Sequence, residues 1–378
     1  ESFITPSVPF AERWFITMII SFTCNNIGTG GAERVITNLA NQMARDGHIV
    51  RIICYEKLDS FYYELEQNVS IVELDPLINK RKSVLSRKGA GIINLFRLFK
   101  AVKGSDRVVS FYSRQNCYSI LVCNLRKIPV ICAERDHFFM TDGKINHKLR
   151  NIFYPHADGF IHQTNMAREY LRKNEGVRCK DIVIPNPLWI NEFPKREPVP
   201  GRVIAVGRLA DQKNYEGMIK AFALVVHKIN NAKLYIYGGG ECESYKKLAE
   251  SLGIKDNVIF AGMTKDIIKE HQTAEVYVMF SHGEGYPNAL MEALAMGVPS
   301  ISSDCPVGGP RDMIDDGING YLVKCGDEKA FSERIIELLG NDQLKTKFSE
   351  AAISIRDTNQ FDVIYRRYMD YIVNCINK

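Results

Sequence analysis

Apolar residues fall along this chain in short, nearly unbroken runs, with longer amphipathic stretches between them. Val- and Ile-rich runs of this kind fit strands buried on both faces of a parallel sheet. In the first half the pattern predicts strands at 15–23, 49–55, 70–74, 107–111, 130–133, 159–164 and 181–184. The first strand leads into a loop at 24–31 and then a helix over 32–46, which Gly47 stops before the strand at 49–55. This is a βαβ unit, so a parallel sheet follows. Prolines at 185, 187, 194, 198 and 200 then interrupt the pattern and mark a linker. Further strands are predicted at 202–206, 233–237, 258–261, 276–280, 299–302 and 320–323, again with helices between. The halves share an architecture without an internal sequence repeat. The chain reads as α/β, with two Rossmann-like domains over 14–185 and 186–355 and a final amphipathic segment over 356–378; its 378 residues suit that division. Residues 1–13 show neither period and are expected to lie outside the folded domains.

The strand at 276–280 runs into the stretch FSHGEGYPNALMEALAMGVP, residues 280–299. Pro287 is predicted in the first turn of a helix, and Gly297 with Pro299 at its end. Glu284 then falls in the loop and Glu292 inside the helix. Carboxyl ends of strands and amino ends of helices are where α/β proteins bind phosphorylated ligands. Two glutamates could equally be solvated surface residues, but His282, Gly283, Gly285, Tyr286 and Asn288 crowd polar and flexible groups into one loop. Upstream, Gly207-Arg208 directly follows a strand, and Lys213 comes five residues later. An Arg fork and a Lys point charge at one strand end can hold a diphosphate. Gly28, Gly30 and Gly31 sit between the first strand and first helix, where a backbone can approach a ligand closely. Their spacing is not G-x-G-x-x-G, so a dinucleotide reading has little support.

These segments, with Gly238-Gly239-Gly240 and Gly30-Gly31-Ala32-Glu33-Arg34, occur in an order that resembles glycosyltransferase family 4 over nearly the whole chain. The stretch from Glu284 to Glu292 resembles that family's E-x7-E motif. The resemblance implies a retaining enzyme of the GT-B fold. Its two Rossmann-like domains would turn parallel sheets toward a central cleft, and the C-terminal helix would cross back to the first domain. Arg208 and Lys213 would bind the diphosphate of a nucleotide sugar and stabilise the charge growing on the leaving nucleotide. A divalent metal otherwise does that work, and neither D-x-D nor H-E-x-x-H occurs, so no metal or other cofactor is expected. By the same resemblance Glu292 would accept hydrogen bonds from the ribose, and Glu284 would lie by the transferred sugar as an essential group, nucleophile or stabiliser. Gly285, Tyr286, Pro287 and Asn288 would contact sugar and phosphate through the backbone amides of their segment. Gly31 would stand opposite the phosphates, and Gly239 would line the nucleotide pocket. His137, in Glu134-Arg135-Asp136-His137, would face sugar or acceptor; the family's His-Asp order is absent here, and a helix cap with a partly buried His is the alternative. The segment 303–311, SDCPVGGPR, resembles a loop of members that build bacterial glycans on lipid carriers from UDP-sugars. The expected reaction is thus transfer of a hexose or N-acetylhexosamine, UDP-linked, to a growing glycan on a polyprenyl diphosphate.

Composition narrows the setting. Hydrophobic residues at 46% and charged residues at 25% fit a folded globular chain rather than a disordered one. No apolar run reaches the roughly 20 residues of a membrane-spanning helix. The ten cysteines form no C-x-x-C pair, and several lie in apolar runs; they read as buried thiols of a cytoplasmic protein. The net charge of +5 is concentrated in the first half. Between Pro76 and Ser105 every charged residue is basic, with Ile92, Ile93, Leu95, Phe96, Leu98 and Phe99 interleaved. Segment 80–103 could lie on an anionic membrane at its inner face, or its apolar side could pack on the domain's own sheet. Three rival functions remain at this level. A nucleotide-sugar epimerase of the same fold would need no lipid acceptor. A non-catalytic nucleotide-sugar-binding protein would tolerate loss of Glu284. A nucleic-acid binder is disfavoured by the acidic second half and by the lack of a recognition motif.

Overall fold

The computed structural model describes residues 16–28, 31–56, 63–74, 84–135, 144–190, 192–264 and 266–375, with the backbone alone for 84–91 and 144. The first sheet contains β1 (Ile19–Cys24), β2 (Ile49–Cys54), β3 (Val69–Glu73), β4 (Arg107–Phe111), β5 (Val130–Ala133), β6 (Gly159–His162) and β7 (Lys180–Val183). Its order is β3-β2-β1-β4-β5-β6-β7. The second contains β8 (Arg202–Val206), β9 (Lys233–Tyr237), β10 (Val258–Gly262), β11 (Val276–Met279), β12 (Ser300–Asp304) and β13 (Tyr321–Lys324). Its order is β10-β9-β8-β11-β12-β13. All their ladders are parallel. Each sheet is doubly wound, and its strand order reverses between β1 and β4 or between β8 and β11. The carboxyl ends of the strands at those reversals open the crevices where ligands bind.

The predicted strands form with small shifts at their ends. β1 starts at Ile19 rather than 15, because its register partner β2 starts at Ile49; Ile16 is 77% exposed and pairs with no strand among the described residues. The helix after β11 runs Asn288–Ala295, so Pro287 precedes it instead of occupying its first turn. Pro287 has extended ψ, and its carbonyl accepts the first helical bond from Met291 N at 3.1 Å, which is the behaviour of a cap residue.

Each sheet packs a hydrophobic cluster on both of its faces. On one face of the first sheet, Phe22, Ile52, Val109 and Ile131 pack with the Gly31–Arg45 helix. The C-terminal helix Phe361–Asn374 joins that same core through Ile364, Tyr368, Met369 and Ile372. Each such side chain contributes roughly 1.5–3 kcal/mol when fully buried, so packing assigns the end of the chain to the first domain. The outgoing and returning crossings run side by side, with Leu188 N donating to Asn359 O at 2.6 Å.

The basic helix, Val84–Ala101, is divided between the two expectations for it. Leu98 is fully buried, and Leu95 and Phe99 pack against the first domain. Ile92, Ile93 and Phe96 remain exposed, at 66%, 43% and 69%. The side chains of Lys80, Arg81, Lys82, Arg87 and Lys88 lie outside the described residues. Among the described residues no helix is long and apolar enough to cross a membrane.

Candidate active site

The loop after β8 is built to hold cations at the strand end. Tyr215, at the start of the following helix, donates from its hydroxyl to Gly207 O at 2.8 Å and pins the loop back on itself. Asn214 adopts a left-handed conformation and caps that helix, accepting from Gly217 N at 3.1 Å. This turn aims Lys213 back toward the second strand end of the crevice, that of β11. There Lys213 Nζ donates to Glu284 Oε1 at 2.6 Å, with the two side chains 21% and 8% exposed. Arg208 is exposed and has no hydrogen-bond or ion-pair partner among the described residues. Its charge is available to a ligand.

Glu284 is held from both sides. Its N–H donates to Pro306 O at 2.6 Å, and its carbonyl accepts from Val307 N at 3.0 Å. The segment 303–311 is therefore the floor of the Glu284 loop. Gln212 stitches the cation loop to it, donating to Gly283 O at 2.7 Å while its own carbonyl accepts from His282 N at 2.8 Å.

The first domain closes the other side. Thr164 Oγ1 donates to Val307 O at 2.6 Å. A Cβ at Gly285 would lie 2.8 Å from Gln163 Oε1, and one at Gly31 would lie 2.9 Å from Asn288 Nδ2. At both positions the domains approach so closely that an added Cβ would push the facing side-chain amide, Gln163 or Asn288, out of its place. The result is a cavity of about 330 Å³ between the domains.

Gly31, Arg208, Lys213, Glu284, Gly285, Tyr286, Pro287 and Asn288 all line that cavity. The Tyr286 ring points inward, 7% exposed, and its hydroxyl accepts from Asn359 Nδ2 at 3.0 Å. Gly239 and Glu292 are not among the lining residues. Gly239 instead supports the cation loop, its carbonyl accepting from Leu209 N at 2.8 Å. Glu292 lies half-buried within the Asn288–Ala295 helix. Burial pushes its carboxyl up to about 7, against the opposing pull of Arg34, whose guanidinium sits over the Trp189 ring at 5.0 Å. His137 and Gly30 lie outside the described residues.

Four lining residues with polar side chains were not singled out from the sequence for a role: Arg135, Gln163, Asn186 and Gln212. Gln163 directly follows β6 and Arg135 lies two positions past the end of β5, as the carboxyl-end rule would suggest. Asn186 lay hidden inside a Pro-Asn-Pro linker. Among the described residues no group of three or more His, Cys, Asp or Glu side chains could hold a metal ion.

Residues 29–189 match the family described as Glycosyltransferase Family 4, and residues 190–354 match Glycosyl transferases group 1. The chain is 31% identical over 334 residues to the GalNAc-alpha-(1->4)-GalNAc-alpha-(1->3)-diNAcBac-PP-undecaprenol alpha-1,4-N-acetyl-D-galactosaminyltransferase of Campylobacter jejuni, covering 86% of this chain and 90% of that protein. Among solved structures it resembles the lipopolysaccharide outer core galactosyltransferase WaaB, with TM-score 0.76 and 18% identity over 94% of this chain and 99% of that one. It also resembles HepE of Anabaena, solved with UDP and glucose, with TM-score 0.76 and 17% identity over 94% and 99%. At these identities the solved structures speak for the GT-B fold alone.

Proposed function

Since the chain belongs to glycosyltransferase family 4, we propose that its cavity holds a UDP-sugar and that the enzyme transfers the hexose or N-acetylhexosamine with retention to a growing, polyprenyl-diphosphate-linked glycan. One observation carries this reading above the others. Two cations from the β8 loop and a carboxylate from the β11 loop converge in a single cavity between two doubly wound domains. A diphosphate needs the cations, and a sugar hydroxyl or a developing positive charge at the anomeric carbon needs the carboxylate. Arg208 and Lys213 take the charge that grows on the leaving diphosphate without a metal. Glu284, already bonded to Lys213, stands as a stabiliser of the sugar more readily than as a nucleophile. Glu292, one helical turn past Asn288 but outside the cavity lining, is assigned to the ribose by the family resemblance alone. Closure of Gly31 against the phosphates excludes water and limits hydrolysis.

The acceptor and donor assignments draw on relatives: the Campylobacter enzyme is named for an undecaprenol-linked glycan, and HepE was solved with UDP. The exposed Ile92, Ile93 and Phe96, beside Arg97, Lys100 and Lys103, suit an anionic membrane at the inner face, where such an acceptor would reside. The test is a screen of UDP- and GDP-sugars with a polyprenyl-diphosphate-linked glycan, reading transfer and the anomeric configuration of the product by NMR. Arg208→Ala should weaken UDP binding or slow transfer. Unchanged affinity together with unchanged rate would place the donor elsewhere. Conversion of the nucleotide sugar with no acceptor present would favour the epimerase instead.

A further inference from the structure

Asn186 is only 5% exposed, at the point where the first domain, the linker and the donor loop meet. Every hydrogen-bonding position of its side-chain amide is filled. Its Oδ1 accepts from the Arg135 guanidinium and from Gln163 Nε2, the latter at 2.9 Å. Its Nδ2 donates to the Tyr286 carbonyl at 3.0 Å and to Asn288 Oδ1 at 2.8 Å. Its backbone carbonyl accepts from Asn359 Nδ2 at 2.9 Å. Arg135 is itself fixed, bonded also to the Tyr368 hydroxyl and lying 5.5 Å from the Phe111 ring centre.

The polarity of this chain of bonds is set at one end. A guanidinium donates and never accepts. Asn186 must therefore turn its oxygen toward Arg135, which leaves its nitrogen for Asn288. Asn288 must answer with its oxygen, so its NH2 group is forced to the opposite side. That NH2 lies against Gly31, at the amino end of the Gly31–Arg45 helix, and donates to no protein group among the described residues. Its neighbour across the gap is the positive end of a helix dipole, so the pocket between them favours a negatively charged acceptor.

We propose that Asn186 is a positioning residue of the donor site: it relays the fixed polarity of Arg135 to Asn288, whose NH2 is thereby held toward the donor's diphosphate at Gly31. This rests on the donor-site reading above and adds to it a specificity device. With the relay intact, Asn288 presents donors only. If the relay is cut, its amide can turn and present a carbonyl oxygen to a phosphate. The device selects for the diphosphate and is indifferent to the nucleoside.

The test uses the full chain and two probes, UDP and uridine, with affinities read by calorimetry and ligand-observed NMR. Asn186→Asp is isosteric and keeps an acceptor for Arg135 and Gln163, but cannot donate to Asn288. It should weaken UDP by about ten-fold and leave uridine unchanged, the loss of one hydrogen bond to a charged group. Asn288→Ala, at the cavity rim, should weaken UDP to a similar degree, and the double variant should lose no more than either single. Unaltered UDP affinity in Asn186→Asp overturns the relay. So does a parallel loss of UDP and uridine, which would make Asn186 merely structural, and so does full additivity in the double variant. Arg208→Ala separates the two levels of the argument. If it leaves UDP affinity and transfer rate both unchanged, the donor-site reading fails and the relay with it; if it weakens binding or slows transfer while Asn186→Asp leaves UDP affinity unaltered, the relay alone fails.

Discussion

Replacing Glu284 by Gln should make the enzyme bind UDP more tightly while it loses transfer. Lys213 and Glu284 are bonded at 2.6 Å and both are largely shielded from water, so the pair is stronger than a surface ion pair. A diphosphate entering beside Arg208 has to draw Lys213 at least partly away from that carboxylate. A hydrogen bond involving a charged group is worth about 1.5–3 kcal/mol net. Gln keeps a weaker bond to the same ammonium, leaving a difference of about 1–1.5 kcal/mol that the incoming diphosphate no longer has to overcome. Removal of the carboxylate charge from the cavity acts with the same sign. The expected gain in UDP affinity is therefore about five- to ten-fold. Turnover should move the opposite way, falling by about two to three orders of magnitude as a stabiliser of the transition state is lost. Calorimetric titration of UDP into wild type, Glu284→Gln, Lys213→Met and the double variant, at fixed pH and salt, would measure this. The gain should vanish in the Lys213→Met background, because the competition requires the ammonium. Equal or weaker UDP binding by Glu284→Gln would refute the competition and mean that Glu284 itself helps to hold the nucleotide.

Three further outcomes follow from other parts of the molecule. Glu292 is held up at about 7 by burial, above its ordinary 4.5, so between those values the folded protein keeps a proton that the unfolded chain releases; its contribution to stability falls as pH rises through that window. Glu292→Gln should flatten the pH dependence of urea unfolding there by about 1–3 kcal/mol, and parallel wild-type and variant curves would contradict the burial argument. Ile364→Ala, in the returning helix, should cost about 2–5 kcal/mol, read from urea unfolding by the fluorescence of Trp189, whose ring lies 5.3 Å from Phe361; a cost under about 1 kcal/mol would mean the helix is only loosely docked. Ile92→Ser with Phe96→Ser should lower binding to phosphatidylglycerol vesicles by at least about ten-fold without changing stability, because both side chains are exposed. Undiminished binding would leave that face without a membrane role.

Much of this protein could be read from its sequence because the signals are local. Buried parallel strands announce themselves as apolar runs, and the polar residues after β8 and β11 lie within a few positions of the strand ends that place them. The cavity thus gathers Arg208, Lys213 and Glu284, as their positions along the chain suggested. The last helix was legible as amphipathic, and only the family resemblance sent it back to the first domain; its packing into the first-domain core gives the physical reason. The basic helix shows the same limit, since only packing separates the buried Leu98 from the exposed Phe96 two positions away. What tertiary structure alone decided are pairings between residues far apart in the chain. Lys213 meets Glu284 across 71 positions, and Asn186 meets Asn288 across 102. Burial is decided the same way: Glu292 and the Tyr286 ring owe their surroundings to neighbours brought in from other segments. Periodicity records which face of an element is apolar. Which charge is neutralised, which amide is turned, and which carboxyl is lifted depend on distances through space, and only the folded chain fixes those.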